Sequence, residues 1–587
     1  MTDKNLIQAK PGLPERFVCE QPDREQCIVL ARELQVPYPL AVLLWLRGVR
    51  DYGQGNAYLK PQLADLPSPF LMKDMDRAVA LVLLALRENW PLCIHGDYDV
   101  DGITGTALLA RFFRMLERET VCYQPDRLTE GYGLQPEFIR ANAPAQGLPA
   151  LLITVDCGIA DVNEVQLAKD LGFMVIVTDH HLPGDALPPA DALLNPHQQG
   201  CRFPYSELAG VGVAFFLTCA IRNRLIDEGI LSREKAPNLK NLMDLVALGT
   251  VADVMPLTGI NRILVKAGLE IMNQPNCTWA RALNKQLNSF YTTLFTSEDI
   301  SYKFAPRINA PGRLGKPELS FQLLSITDPD SCDKIAAQIE RINQDRRELE
   351  GETLGQVLVE CERQEDSGAA AFVVYGSFHQ GIIGIIASRV VDRFNKPVII
   401  FTDDLSRPGT MKGSGRTVQS VNLHEVLQTC SDSIIQFGGH AMAAGLSIDK
   451  EKLALFTRQF ETTVAELKIK EECGAVMSID YYTKPEEVLN KTFIEHYKNM
   501  QPFGNGNSEP VFMLHNAEFI KVRTVKNHLT FALRSNGREY RGIGFGMAEK
   551  IKFVQNGPVR LAFKLKNTVY RGEHATELHV VDIMKTD

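Results

Sequence analysis

The chain reads as an α/β protein: a parallel-sheet domain, joined by a long helix to a smaller α/β lobe, with a small β-barrel at its C-terminal end. Three observations predict this. From residue 71 onward apolar strand-like runs alternate with amphipathic segments, a charged helix-periodic stretch follows at 328–368, and past 459 short β-like runs are separated by turn residues. At 587 residues the chain is also too long for one core, and length alone predicts about three to four domains.

Residues 1–70 form a helical lead-in, strongly apolar at Leu40–Leu46 and closed by the Pro-punctuated KPQLADLPSPF. In 71–327 the strands are Leu92–His95, Val121–Gln124, Leu151–Val155 and Met174–Thr178, each followed by a loop and an amphipathic segment, as parallel pairing requires. Over 328–368, Ile335, Ile339, Ile342 and Leu349 share one helical face, and Gly351 is expected to break the helix. The smaller lobe, 369–458, carries strands at Phe372–Tyr375 and Val398–Phe401. In 459–587 the runs Val511–Leu514, Leu529–Leu533, Val559–Lys564 and Glu577–Ile583 suggest a barrel.

Composition narrows the class. With 45% apolar and 23% charged residues the chain resembles an ordinary globular protein. The charged start MTDKNLIQAKPGLPERF lacks the apolar core of a leader peptide, and the longest apolar run, Ala209–Ile221, falls short of the roughly 20 residues a span needs, so no membrane association and a cytoplasmic location are expected. The 12 cysteines include no C-x-x-C pair, which disfavours a zinc ribbon and a disulfide framework. Net charge is −8, but from Val511 onward 13 Lys/Arg face 7 Asp/Glu, a balance of +6 that leaves −14 for the rest. An acidic body with a basic end suits a nucleic-acid enzyme whose acids gather at metals.

Four motifs carry the chemistry: His95-Gly-Asp97-Tyr-Asp99-Val-Asp101-Gly102, Val155-Asp156-Cys157-Gly158, Thr178-Asp179-His180-His181, and Gly249-Thr-Val-Ala-Asp253-Val-Met-Pro256. Each lies in or directly after an apolar run, so in a parallel sheet they converge outside the carboxyl ends of the strands. Carboxylates and imidazoles without thiolates suit Mn²⁺ or Mg²⁺. Singly each motif is ambiguous: an acid at a strand end also serves as a helix N-cap, and paired histidines also fill surfaces.

Together the four motifs resemble those of the DHH phosphoesterase superfamily, and Gly438-Gly439-His440-Ala-Met-Ala-Ala-Gly445 is similar to the Gly-Gly-His motif of its associated domain. The segments Pro125–Gly133, Pro306–Arg313 and Gln501–Asn507, the last ahead of a β-rich end where relatives carry an OB-fold, resemble the superfamily's single-strand-specific exonucleases. The resemblance implies two divalent ions, Mn²⁺ or Mg²⁺. His95, Asp99 and Asp156 would hold one, and Asp101, Asp156, His180 and Asp253 the other, with Asp156 bridging. His181 would act at the scissile phosphate, and Asp97 would either take part in catalysis or orient His95. Arg127, Tyr132, Arg307, Asn309, Arg313, Ser414, Arg416, Gly438, Gly439 and His440 would bind substrate, the Arg307 and Arg313 pair from a loop. In the basic end Phe531, Phe545, Phe563 and Tyr570 interleave with Lys and Arg; stacking on bases and burial in a barrel core would read alike.

The implied activity is 5′-to-3′ hydrolysis of single-stranded DNA to 5′-mononucleotides in recombination and repair, alongside a single-strand-binding protein and a RecQ-type helicase. Two alternatives stand beside it. One is a phosphodiesterase of pAp, nanoRNA or a cyclic dinucleotide, and the other is a non-catalytic replication scaffold.

Overall fold

The computed structural model describes residues 17–18, 22–145, 147–287, 294–404, 406–467, 477–517, 519–535, 537–555, 559–570 and 573–585. The leader expectation therefore rests largely on residues outside this set. No single described helix is long and apolar enough to cross a membrane, and the run Ala209–Ile221 is buried in the helix Gly210–Asp227.

Five parallel strands form the first sheet, in the spatial order Val121–Tyr123, Leu92–Gly96, Ala150–Val155, Phe173–Thr178, Ala192–Leu194. The central strands are Val/Ile/Leu-rich because both faces are covered. One face packs on Val100–Met115, Gly210–Asp227 and Met243–Ala252, the other on Pro136–Ala141 and Val162–Asp170. Strand order reverses between Leu92–Gly96 and Ala150–Val155, and such a reversal opens a crevice at the carboxyl ends of those two strands.

The connector is one uninterrupted 38-residue helix, Pro329–Asp366, about 57 Å long at about 1.5 Å per residue. Gly351 does not break it. A Cβ there would meet nothing, and isolated glycine costs a helix only about 1 kcal/mol, less than the packing at both ends supplies. Cys332, Ala336 and Ile339 enter the core of the first domain, and Val357 and Cys361 enter the core of the second lobe. That lobe has five strands in the order Gln436–His440, Ala443–Asp449, Thr410–Arg416, Val398–Asp403, Phe372–Tyr375.

The C-terminal module is a seven-stranded, mostly antiparallel sheet between Tyr481 and Lys585. Among the described residues its outer strands, Tyr481–Thr483 and Phe519–Val525, are not paired with each other, so the expected barrel is described as a sheet without a closing seam. The lead-in does not stand alone. Helices Arg24–Leu34 and Tyr38–Leu46 bury Leu30, Leu40, Leu43 and Leu44 in one core with Phe493, Phe512 and Leu561 of this module.

Arg262 joins these pieces. It is 3% exposed, on the first domain's helix Gly259–Met272, and lies 4.0 Å over the Tyr58 ring. Its guanidinium donates to the carbonyls of Tyr58 (2.9 Å), Asn499 (2.9 Å), Met500 (3.0 Å) and Gln501 (3.0 Å). A buried cation held by carbonyls at the end of the helix Lys491–Lys498 exploits the negative pole of that helix. Arg262→Met removes the donor from all four carbonyls, of which, among the described residues, Met500 O alone keeps another in Asn507, and should cost about 3 kcal/mol in urea unfolding; an unchanged midpoint would show that Arg262 does not hold the modules together.

Candidate metal centre

The first motif turns directly from strand to helix. Asp99 caps the helix Val100–Met115, its Oδ1 accepting from the amides of Asp101 (2.9 Å) and Gly102 (3.2 Å). The turn is so tight that a Cβ on Gly102 would stand 2.5 Å from the Asp97 backbone. Asp97, Asp99 and Asp101 are thereby aimed into the crevice, Asp97 and Asp101 fully buried.

Asp156 follows the strand Ala150–Val155 in the left-handed region, at φ +61°, which Asp tolerates better than most residues. Its amide donates to Thr178 O (3.0 Å), and the neighbouring strand then delivers Asp179, His180 and His181. Asp101 is held by the start of the helix Gly210–Asp227: the Gly210 and Val211 amides donate to its two oxygens at 2.5 and 2.9 Å. A side chain on Gly210 would collide with Asp156, its Cβ 2.7 Å away.

His180 Nε2 faces three carboxylates, 3.1 Å from Asp156 Oδ1, 3.5 Å from Asp253 Oδ2 and 3.8 Å from Asp101 Oδ2. Burial, then the charge of His181, brings its pKa down to about 4, so it is neutral. Burial and the charge of Asp99 push Asp101 up to about 7, against the two amides. Burial with the charges of Asp101 and Asp99 pushes Asp253 up to about 9. Asp97 and Asp156 are raised for the same two reasons, burial first and neighbouring carboxylates second. Asp97 Oδ1, Asp156 Oδ1 and Asp253 Oδ2 are buried and accept no well-formed hydrogen bond. Unpaired acceptors that converge on a neutral imidazole are the arrangement a divalent cation satisfies.

Candidate ligand atoms form groups within 4.8 Å of one another: Asp97, Asp99 and Asp156; Asp101, His180 and Asp253; and Asp156, His180 and His181. Among the described residues His95 joins none of them, a correction to the expected ligand set. It points to the opposite face of the sheet from Ile94, fully buried against Tyr123 and Phe138, with Nε2 accepting from the Gln135 amide at 3.3 Å. Asp97 occupies the place expected of it. Nor does Asp253 follow a strand; it ends the helix Met243–Ala252.

His181 stands at the mouth, its side chain 47% exposed. Its Nδ1 lies 2.8 Å from Asp179 Oδ1 and 3.2 Å from the Tyr132 hydroxyl. Burial pulls its pKa down, but the hydrogen bond to Asp179 and that carboxylate's charge outweigh it and raise it. Asp179 also accepts from the amides of Ile159, His180 and His181. Its positioning role, and that of Asn195 donating to His181 O (2.8 Å), were not read from the sequence; only the placement of Asp179 within the DHH triplet hinted at one.

The expected substrate-binding residues divide. Arg127, Arg313 and Arg416 gather from the first domain, the end of the helix Ala305–Arg313 and the second lobe. Burial, then the charges of Arg127, Arg346 and Arg416, lowers Arg313 to about 9, and Arg416 is lowered by burial and Arg127. Ser414 lies 3.4 Å from Arg416. Gly438, Gly439 and His440 are exposed on the outer strand, where register sets Gly438, Gly445 and Ser414 in one row and His440, Ala443 and Arg416 in another. Arg307 is a correction. It lies on a helix rather than a loop, 8% exposed, bound to Glu340 at 2.5 Å, so its charge is already matched. Asn309 is half-buried on the same helix. In the C-terminal module Phe531 and Phe563 are core, Phe545 is 55% exposed, and the side chain of Tyr570 lies outside the described residues.

Models of the DHH family N-terminal domain, the DHHA1 domain and the RecJ OB domain match residues 91–250, 366–466 and 479–582. The single-stranded-DNA-specific exonuclease RecJ of Escherichia coli is 36% identical over 570 residues, covering 94% of this chain and 96% of that protein. The chain belongs to the RecJ family. The Bacillus subtilis RecJ is 33% identical, and the match covers 91% of this chain and 66% of that one. The crystal structure of RecJ in complex with Mn²⁺ from Thermus thermophilus matches at TM-score 0.79 and 29% identity, covering 98% of this chain and 80% of that one. A Mg²⁺ complex of the same protein matches at 0.72 and 28%, covering 96% and 77%.

Two outcomes test the centre. His95→Gln should keep binding of both Mn²⁺ ions in calorimetric titration while Asp97→Asn loses one; the reverse pattern would restore His95 as the ligand. Asp253, with its folded-state pKa above its unfolded value, opposes folding once it must ionise, so metal-free stability falls as pH rises toward about 9. In EDTA, Asp253→Asn should therefore lose less melting temperature than wild type between about pH 6 and 9. Equal losses would mean that Asp253 is not strained there.

Proposed function

We propose that the chain is a metal-dependent nuclease that removes 5′-mononucleotides stepwise from the 5′ end of single-stranded DNA. The observation that carries this reading is the meeting of three adjoining groups of carboxylates and imidazoles, linked through Asp156 and His180, with a cluster of arginines contributed by both lobes. The two adjoin: Arg127, whose guanidinium lies 5.1 Å from the centroid of Tyr98, also lowers the pKa of Asp97.

Asp97, Asp99 and Asp156 are assigned to one Mn²⁺ or Mg²⁺, and Asp101, Asp156, His180 and Asp253 to the other. Such ions activate water and offset the charge that builds on the phosphate oxygens. Arg127, Arg313 and Arg416, with Ser414, pair the phosphates of the strand; among the described residues none of the three arginines makes an ion pair, and their crowding leaves a charge that an anion relieves. His181, oriented by Asp179 and favoured in its protonated form, donates toward the departing oxygen. Farther off, Arg541 and Ile543 alternate along the strand Arg538–Gly544 of the C-terminal sheet, and Phe545 stands exposed in the turn directly after it, with the rings of His528 and His579 at 5.3 and 5.4 Å. An exposed ring on a basic face suits a stacked base.

A single-strand-binding protein, a RecQ-type helicase and a cytoplasmic setting belong to the same reading; co-purification of either protein with this chain tests the partnerships. The deciding assay follows one oligonucleotide labelled at either end. With Mn²⁺, the 5′ label should appear first as mononucleotide, and EDTA should abolish this; initial release of the 3′ label would reverse the polarity. Phe545→Ala should weaken binding of a long strand about tenfold, the loss of one stacked base, and leave dinucleotide turnover unchanged. Faster turnover of the dinucleotide than of the long strand by wild type would favour a small-nucleotide phosphodiesterase.

A further inference from the structure

The helix that carries Asp253 ends in an unusual way. The Met255 amide donates to Thr250 O at 3.2 Å and the Val254 amide to Val251 O at 3.2 Å, the paired bonds of a Schellman motif. Its left-handed position is ordinarily glycine or asparagine, yet here it is Val254, at φ +57° and 66% exposed. A β-branched side chain in that region is strained, and such conformations persist where surroundings over-determine them. No apolar contact can do this for so exposed a side chain. The restraint comes instead from another module. Asn505, in the C-terminal loop 501–507, donates from Nδ2 to Val254 O at 2.8 Å, and its own carbonyl accepts from the Leu257 amide at 2.7 Å.

That loop is itself fixed. Gly504 and Asn507 exchange backbone hydrogen bonds of 3.0 and 3.1 Å, and the side chain of Asn507, 2% exposed, donates to Pro502 O (2.7 Å) and accepts from Arg47 (3.1 Å) and Tyr58 (2.7 Å). Ser297 of the first domain donates to Phe503 O at 2.6 Å. The loop is thus anchored on both sides before it reaches Val254.

We propose that Asn505 is a positioning residue for Asp253: by clamping the strained peptide that follows it, the C-terminal module sets one carboxylate of the metal centre. This rests on the assignment of Asp253 as a ligand. It gives the C-terminal module a part in the chemistry as well as in gripping DNA. Asn505 and Val254 are both exposed, so substituting them disturbs no core.

Mn²⁺ titration of the full chain, followed by calorimetry without substrate, provides the test. Asn505→Ala should weaken one of the two ions by about three- to tenfold, the loss of one hydrogen bond, and leave the other ion and the melting temperature unchanged. Val254→Asn, which favours the left-handed conformation by itself, should restore most of that affinity in the double variant. Wild-type affinity for both ions in Asn505→Ala, equal weakening of both, or no rescue by Val254→Asn would each overturn the clamp. Asp253→Ala serves as the control: it should lose one ion outright. If it retains both, the ligand assignment itself fails, whatever Asn505→Ala does.

Discussion

Five aspartates, Asp97, Asp99, Asp101, Asp156 and Asp253, are packed into one crevice, and their mutual repulsion is the constraint around which the rest of the molecule is arranged. Carboxylates in a low-dielectric site repel more strongly than in water, and several here are buried with an oxygen that accepts no hydrogen bond. The fold holds them nonetheless by tying their backbones elsewhere. The Asp97 amide donates to Val155 O and the Asp156 amide to Thr178 O, so each acid is anchored to the strand next to its own. Asp101 is met by the positive end of a helix through two amides. Such a site is built to gain from cations and to be strained without them.

A complementary excess of positive charge stands on the other side of the cleft. Arg127, Arg313 and Arg416 come from three separate elements, and the long helix Pro329–Asp366 sets the distance between the lobes that supply them. Because each end of that helix belongs to a different hydrophobic core, the spacing cannot change without disturbing one of the cores. Acidic and basic clusters that would each be unfavourable alone are thus kept close enough for a phosphate backbone and divalent ions to satisfy both.

The order of elements and most of the centre were legible because short, continuous apolar runs and acids at their ends are local signals. Asp99, Asp101, Asp156, His180 and Asp253 come together as their motifs suggest. What local patterns did not carry was orientation. His95 and Asp97 lie two apart, yet the strand ends between them, so alternation no longer decides which one enters the crevice. Arg307 and Arg313 occupy one helix, and only the position of Glu340, far along the chain, distinguishes the matched cation from the free cluster. Phe531, Phe545 and Phe563 look alike in sequence; Phe531 and Phe563 point from their strands into the core, whereas Phe545 stands exposed in the turn after the strand Arg538–Gly544. Gly351 leaves its helix unbroken, since packing at both ends outweighs a single propensity.

The metal centre also has one member that the sheet does not support. Asp97 and Asp156 lie at strand ends, where ladder hydrogen bonds on neighbouring strands fix the backbone. Asp253 ends a helix, and the last turn of a helix is where intrahelical restraint runs out. The peptide beyond it is strained at Val254, so its geometry has to be imposed from outside. The available surface is the loop 501–507, which Arg262 and Ser297 lock against the first domain and Asn507 braces from within. The interface between the catalytic and C-terminal modules therefore passes within one residue of the least supported candidate ligand. A nuclease built this way has its binding module and its chemistry mechanically joined, and loosening the interface loosens the site.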